Sequence, residues 1–443
     1  MAKPGTAAPA DPPAPPDPVA MLRSPKYAGL LALAALVGVP ISAAAYYFLQ
    51  VVGLLQHWVY TVLPRALGLG APLWWPVPVL AVAGLLVAAA IRRLPGNGGH
   101  SPIEGFATGG VPDPADLPGV VLASLAGLGL GVVLGPEAPL IALGGGLGVL
   151  AVRMVRREAP RQVAAVLAAA GSFAAISALL GSPIIGAFLL MEASLLGGAT
   201  LGLVLLPGLL AAGIGSLVFL GLDALTGLGV SSLALPGLPG FERPDLAQFG
   251  WAIVIGLLAA CAGTAVRRLA LLVRPHVEGR IVLAAPVLGV AVAGLAITYS
   301  ALTGRAATDV LFSGEASLGP MLQGAAGYSV PALLLLLACK GIGYGLCLAG
   351  FRGGPVFPAI FLGAAGGVAM SHLPGLPLVA GVAMGIGAMG VVMLQLPMTA
   401  VLLATLLLFS DGLAVMPLVI VSVVVAHVMA ARLSPPPPVI PAG

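Results

Sequence analysis

Charge is what this chain has least of. Only 8% of its 443 residues are Asp, Glu, Lys or Arg, and mean hydropathy is +1.11. Soluble domains carry about a quarter charged residues, so a soluble globular fold is excluded and the chain reads as an integral membrane protein. Cysteine is nearly absent too. Cys261, Cys339 and Cys347 stand in apolar stretches without disulfide or metal spacing, and read as small core residues. No His-Glu-x-x-His motif occurs, and His57, His276, His372 and His427 show no metal spacing. No cofactor or metal is therefore expected, and an intramembrane enzyme is a remote alternative. The net charge of +4 is modest and gives no reason to expect a nucleic-acid partner.

What the chain has instead is glycine and proline, 63 and 41 of them. Long apolar runs cover about 28–55, 72–91, 117–134, 162–180, 200–222, 249–273, 281–303, 329–350 and 376–408. Those at 139–152, 183–196 and 356–371 fall short of the roughly 20 residues a span needs. Broken or half-depth helices of this kind belong where protein lines a cavity rather than faces lipid. The expected organisation is a disordered tail at 1–24, a first membrane repeat at 25–225, a linker at 226–247, a second membrane repeat at 248–433 and a tail at 434–443. Residues 1–20 lack the charged-then-apolar pattern of a cleavable signal.

The two repeats share a segment. Residues 135–149, beginning Gly-Pro-Glu-Ala-Pro, and 354–368, beginning Gly-Pro-Val-Phe-Pro, keep glycine, proline, isoleucine, leucine and valine in register. The third position is Glu137 in the first copy and Val356 in the second. Ser182-Pro183-Ile-Ile and Leu396-Pro397-Met-Thr form a second matching pair. The first copy runs into Arg153, Arg156, Arg157 and Arg161, whereas 369–396 holds no Lys or Arg. Under the positive-inside rule the copies then exit to opposite faces, the mark of an inverted repeat. Arg23, Lys26, Arg92, Arg93 and the Arg267–Arg280 cluster mark further cytoplasmic loops. A multi-pass plasma-membrane protein with a cytoplasmic N-terminus is expected.

Helix starts carry unpaired amides and the positive end of the helix dipole, so several meeting at mid-membrane make an anion site without full charges. Gly135-Pro136-Glu137-Ala138-Pro139 and Gly353-Gly354-Pro355-Val356-Phe357-Pro358 have the Gly/Pro pattern of such starts, and Gly98-Gly99-His100-Ser101-Pro102 is a third. The anion-binding candidates are Gly99, His100, Ser101, Gly135, Glu137, Ala138, Gly354, Val356 and Phe357. Glu137 is the gating candidate: a carboxylate at mid-membrane costs about 2.5–3.5 kcal/mol or more, and it can occupy an anion site when ionised and leave it when protonated. Lys340 either adds positive potential to the pathway or snorkels to the interface. Glu192 is either a proton-relay acid or a structural carboxylate.

Taken in order, these motifs resemble the CLC family of chloride channels and chloride/proton antiporters over about residues 30–432. Gly-Pro-Glu-Ala-Pro is similar to the family's Gly-Arg/Lys-Glu-Gly-Pro, which puts Glu137 at the external gating glutamate. Residues 353–358 resemble Gly-Gly-x-Phe-x-Pro, residues 181–192 resemble the segment containing Asn-Ala-Pro-x-x-Gly, and 396–399 resembles Ala-Pro-Leu-Thr-Gly. The resemblance implies an all-α CLC-like inverted repeat of tilted, partly broken helices, a homodimer, and one anion pathway per subunit for a small inorganic anion, chloride by default, with protons as a second partner in the antiporters. Departures are equally specific. Gly99 takes the place of the family's anion-coordinating serine, with Ser101 nearby. Pro355 removes one amide, and Ala193 falls on the internal proton glutamate, next to Glu192. Because Ala193 cannot carry a proton, a passive channel is favoured over proton coupling; a chloride/proton antiporter, or a transporter of fluoride or another small anion, is the alternative. An unrelated secondary transporter is the other remote alternative.

Overall fold

Proline and glycine decide where the helices of this chain begin, break and cross. The computed structural model describes residues 22–105, 111–158, 160–193, 199–229, 239–241, 243–408 and 412–434. The expected tails, apart from residues 22–24 and 434, and much of the expected linker lie outside the described residues. In the first half the helices are α1 (Pro25–Ala66, with a π-helical turn at Trp58–Val62), α2 (Pro76–Arg93), α3 (Leu117–Gly129) and α4 (Glu137–Val155). They are followed by α5 (Arg161–Leu179), α6 (Pro183–Ala193) and α7 (Ala199–Thr226). The second half contains α8 (Leu246–Glu278), α9 (Ile281–Thr303), α10 (Glu315–Gln323) and α11 (Val330–Gly350). It continues through α12 (Val356–Met370), α13 (Leu378–Leu394), α14 (Pro397–Leu407) and α15 (Gly412–Leu433). Among the described residues there is no strand, and eight helices are long and apolar enough to span a bilayer.

Three expected runs resolve differently. The run at 376–408 is two helices, α13 and α14, because Gln395 turns left-handed at φ 60° and Pro397 cannot continue a preceding helix. The run at 117–134 shortens to α3, since Gly131 at φ 107° ends it. Conversely, the segment at 139–152, expected to be too short to span, extends to the 19 residues of α4 because Glu137 and Arg153 lie inside the helix.

Shared glycines pack the two halves alike. A β-carbon on Gly144 of α4 would collide with the carbonyl of Gly171 in α5, and one on Gly148 with the carbonyl of Leu167. Gly363 and Gly367, which hold the same register in the second repeat copy, stand likewise against the carbonyls of Gly385 and Gly381 in α13. Small residues let membrane helices approach to backbone contact, where close packing replaces the missing hydrophobic drive.

Helix α11 is the spine of the second half. Lys340, Tyr344 and Cys347 lie on one stripe at helical spacing, and all three are buried. The Tyr344 hydroxyl donates to the Pro355 carbonyl at 2.8 Å, and Cys347 Sγ accepts from the Val133 amide at 3.4 Å. Lys340 Nζ donates among four successive carbonyls, those of Asp309, Val310, Leu311 and Phe312, at 3.0–3.2 Å. Aiming consecutive carbonyls at one point requires a curled backbone, and Phe312 supplies it with φ 60°. One helix thus fixes three loops that surround the start of α12.

Gly363→Ala is expected to lower thermal stability in detergent by about 1–3 kcal/mol, the usual overpacking cost. Gly366→Ala, on the same helix but with nothing within 4 Å of its added β-carbon, is expected to be neutral. Equal melting behaviour of the two variants would contradict the close crossing.

Candidate functional site

Helices α4 and α12 begin with the same chemistry. Each has a proline as N-cap, Pro136 and Pro355, and a second proline at its third position, Pro139 and Pro358. A proline there has no amide hydrogen to leave unpaired. Each helix start therefore offers the amides of its first two residues, Glu137 and Ala138 in one, Val356 and Phe357 in the other.

The residues just before these starts join them. Gly135 N–H donates to the Gly354 carbonyl at 2.8 Å, and Gly354 N–H donates to the Gly135 carbonyl at 2.6 Å, an isolated antiparallel bridge. Non-helical backbone at membrane depth needs such pairing, because no lipid group can satisfy it. The two repeat copies thus meet at their matching glycines.

Glu137 fills the space at this junction. It is fully buried, and its Oε1 accepts from the Phe357 amide at 2.7 Å. Its Oε2 is buried without a hydrogen-bond partner among the described residues. A β-carbon on either Gly135 or Gly354 would overlap the carboxylate, so only glycine admits the acid here. The same substitution on Gly354 would also press on the Ala138 amide at 3.0 Å. The carboxyl group at the start of α4 therefore rests on the second amide of α12, with no cationic side chain in contact with it among the described residues. Half-buried Glu315, the first residue of α10, lies near enough for its charge to act on Glu137.

Of the residues expected to bind an anion, Gly135, Glu137, Ala138, Gly354, Val356 and Phe357 are brought together at this point. Gly99, His100 and Ser101 lie elsewhere on the same connection. Asn97 accepts from Arg352 Nε at 3.2 Å, and a β-carbon on Gly98 would stand 3.5 Å from Arg352 Cγ. His100 is largely exposed and faces Glu104 at 3.7 Å, while Glu104 pairs with Arg274 at 2.6 Å. The third loop thus reaches the segment just before Gly353 and has no recorded bond to Glu137.

Lys340 does not snorkel: its ammonium is fully buried in the carbonyl cage, 4.5 Å from the Phe361 ring centre. Glu192 is engaged as a helix cap. Its Oε1 accepts from Met398 N–H at 2.9 Å, and its Oε2 accepts from Thr399 N–H at 2.8 Å and Thr399 Oγ at 2.7 Å, at the start of α14. Sequence reasoning missed Tyr344, Arg352 and Glu315. The first two had a readable cue, a polar group flanking the second Gly-Pro start, but their targets are backbone carbonyls that no pattern of side chains reveals.

Gly354→Ala is expected to be poorly tolerated while Glu137 is present, and Glu137→Ala/Gly354→Ala is expected to recover part of the lost thermal stability. Additive losses in this double-mutant cycle would contradict the packing of the carboxylate against Gly354.

Known proteins share this arrangement at the level of fold. A crystal structure of a slow cyanobacterial Cl−/H+ antiporter matches with a TM-score of 0.71 at 20% identity, covering 91% of this chain and 94% of the other. A CLC-type fluoride/proton antiporter matches with a TM-score of 0.70 at 20% identity, covering 91% and 96%. In sequence, the proteins named "Putative ion-transport protein YfeO" from Shigella boydii and Escherichia coli are 28% identical over 360 residues, 79% of this chain and 81% of theirs. The family described as voltage gated chloride channel matches residues 79–431, most of the chain, and the protein belongs to that family.

Proposed function

We propose that this protein carries a small inorganic anion, chloride by default, across the membrane past the Gly135–Gly354 junction, with Glu137 as its gate. The observation that carries this reading is the hydrogen bond from the Phe357 amide to Glu137 Oε1. An ionised Glu137 holds the amide that a passing anion needs. Protonation removes the charge that favours this contact, and the side chain gives way to the anion. Family membership and the ion-transport names of the relatives support a transporter rather than an enzyme. A homodimer in the plasma membrane, with the N-terminus cytoplasmic, belongs to the same proposal.

Passive conduction is the form we favour, because Ala193 cannot carry a proton and both oxygens of Glu192 are already bonded to α14. Proton-coupled exchange is the second reading, and the similarity in fold to a Cl−/H+ antiporter and a fluoride/proton antiporter favours it. It requires Glu192 or water to pass the proton. In lightly buffered vesicles, a chloride gradient that drives protons uphill through the wild-type protein supports exchange and overturns the passive form.

The sign of the pH dependence follows from the gate. Above the carboxyl's titration range each added pH unit removes about nine-tenths of the protonated form, so tracer flux through the wild type is expected to rise as pH falls. Glu137→Gln, neutral at every pH, is expected to give high flux with the slope lost. A Gln variant that keeps the wild-type slope contradicts the gate.

A further inference from the structure

At the end of α4 a cavity of about 490 Å³ opens between that helix, the start of α5 and residue 111. Arg153, Arg157 and Arg161 line it together with Val111, Val149, Val152 and Ala164. Positive charge toward the cytoplasm accounts for arginines at this face, but not for three of them converging on one apolar-walled hollow.

The charges there are under-compensated. Arg153 pairs with Asp113 at 3.1 Å, yet among the described residues neither Arg157 nor Arg161 has a carboxylate within ion-pairing distance. Arg161 is also the first residue of α5, whose first turn contains no acid, and a cation is disfavoured at that end of a helix. Beside the cavity, Met154 and Val155 are 80% and 75% exposed. A doubly bonding planar donor suits phosphate oxygens, whereas valine walls and an exposed Met-Val pair suit an acyl chain.

We infer that this cavity is a binding site for an anionic phospholipid of the cytoplasmic leaflet, with its phosphate held by Arg157 and Arg161 and its glycerol and upper acyl region against Val149, Val152 and Val111. Basic pockets between membrane helices at the cytoplasmic face recognise such headgroups. Arg153 is a weaker partner because Asp113 shares it. The site is separate from the Glu137 junction, and the assignment does not depend on which ion the protein carries.

Native mass spectrometry of the purified protein, titrated with phosphatidylglycerol or phosphatidylcholine, tests this. Phosphatidylglycerol is expected to bind at least about fivefold more tightly, and Arg157→Gln/Arg161→Gln to weaken it about tenfold while leaving phosphatidylcholine unchanged. Asp113→Asn, which releases Arg153, is expected to tighten phosphatidylglycerol about twofold, and it carries the test if the double variant does not fold. Equal binding of the two lipids, an unchanged preference in the double variant, or an Asp113→Asn variant with unaltered affinity overturns the assignment. Inorganic phosphate displacing phosphatidylglycerol at equal concentration also overturns it, because the site then takes a free ion rather than a lipid.

Discussion

A carboxylate seated on the unpaired amide of another helix is the interaction around which this molecule is arranged. Glu137 begins α4, Phe357 belongs to the first turn of α12, and the two are held together by a pair of glycine–glycine hydrogen bonds. Every part of that contact has a structural requirement behind it. Paired prolines limit the amides on offer, glycines at 135 and 354 make room for the acid, and Tyr344 fixes the Pro355 carbonyl from the far side. The second carboxylate oxygen is buried without a hydrogen-bond partner among the described residues.

Backbone dipoles do here what counter-ions do in soluble proteins. Lys340 donates to four carbonyls, Glu192 accepts from two amides and a hydroxyl at the start of α14, and Glu137 accepts from one amide of α12. Each of these buried or half-buried polar groups is tied to a chain turn whose shape it maintains. In a chain with so few charges this is an economical solution, because peptide groups freed at helix ends need partners anyway. The lysine cage in particular explains how the loop before α10 holds Phe312 in a left-handed conformation while Gly314 presses against Phe361.

Much of this was legible in the residues. The low charge content declared the membrane, and the in-register Gly-Pro copies declared both the repeat and the two helix starts that meet at Gly135 and Gly354. The same copies carried Gly144, Gly148, Gly363 and Gly367, whose role in helix crossing becomes apparent only in three dimensions. Hydropathy misjudged the run at 376–408, because the left-handed turn at Gln395 and the proline at 397 break a stretch whose apolar content reads as continuous. The fate of Lys340 was unreadable for a different reason: its partners are main-chain oxygens about 30 positions away, and sequence composition says nothing of where carbonyls point. His100, chosen for its place in a glycine-rich loop, turns instead to Glu104 at the surface.

The central claim is that the Glu137 carboxylate and a transported anion compete for the Phe357 amide. Anomalous diffraction from bromide-soaked crystals tests this most directly, with the wild type at alkaline pH compared with Glu137→Gln. The account predicts a bromide peak within hydrogen-bond distance of Phe357 N in the variant and none there in the wild type. Peaks of equal height in both, or no peak at that amide in the variant, would contradict it.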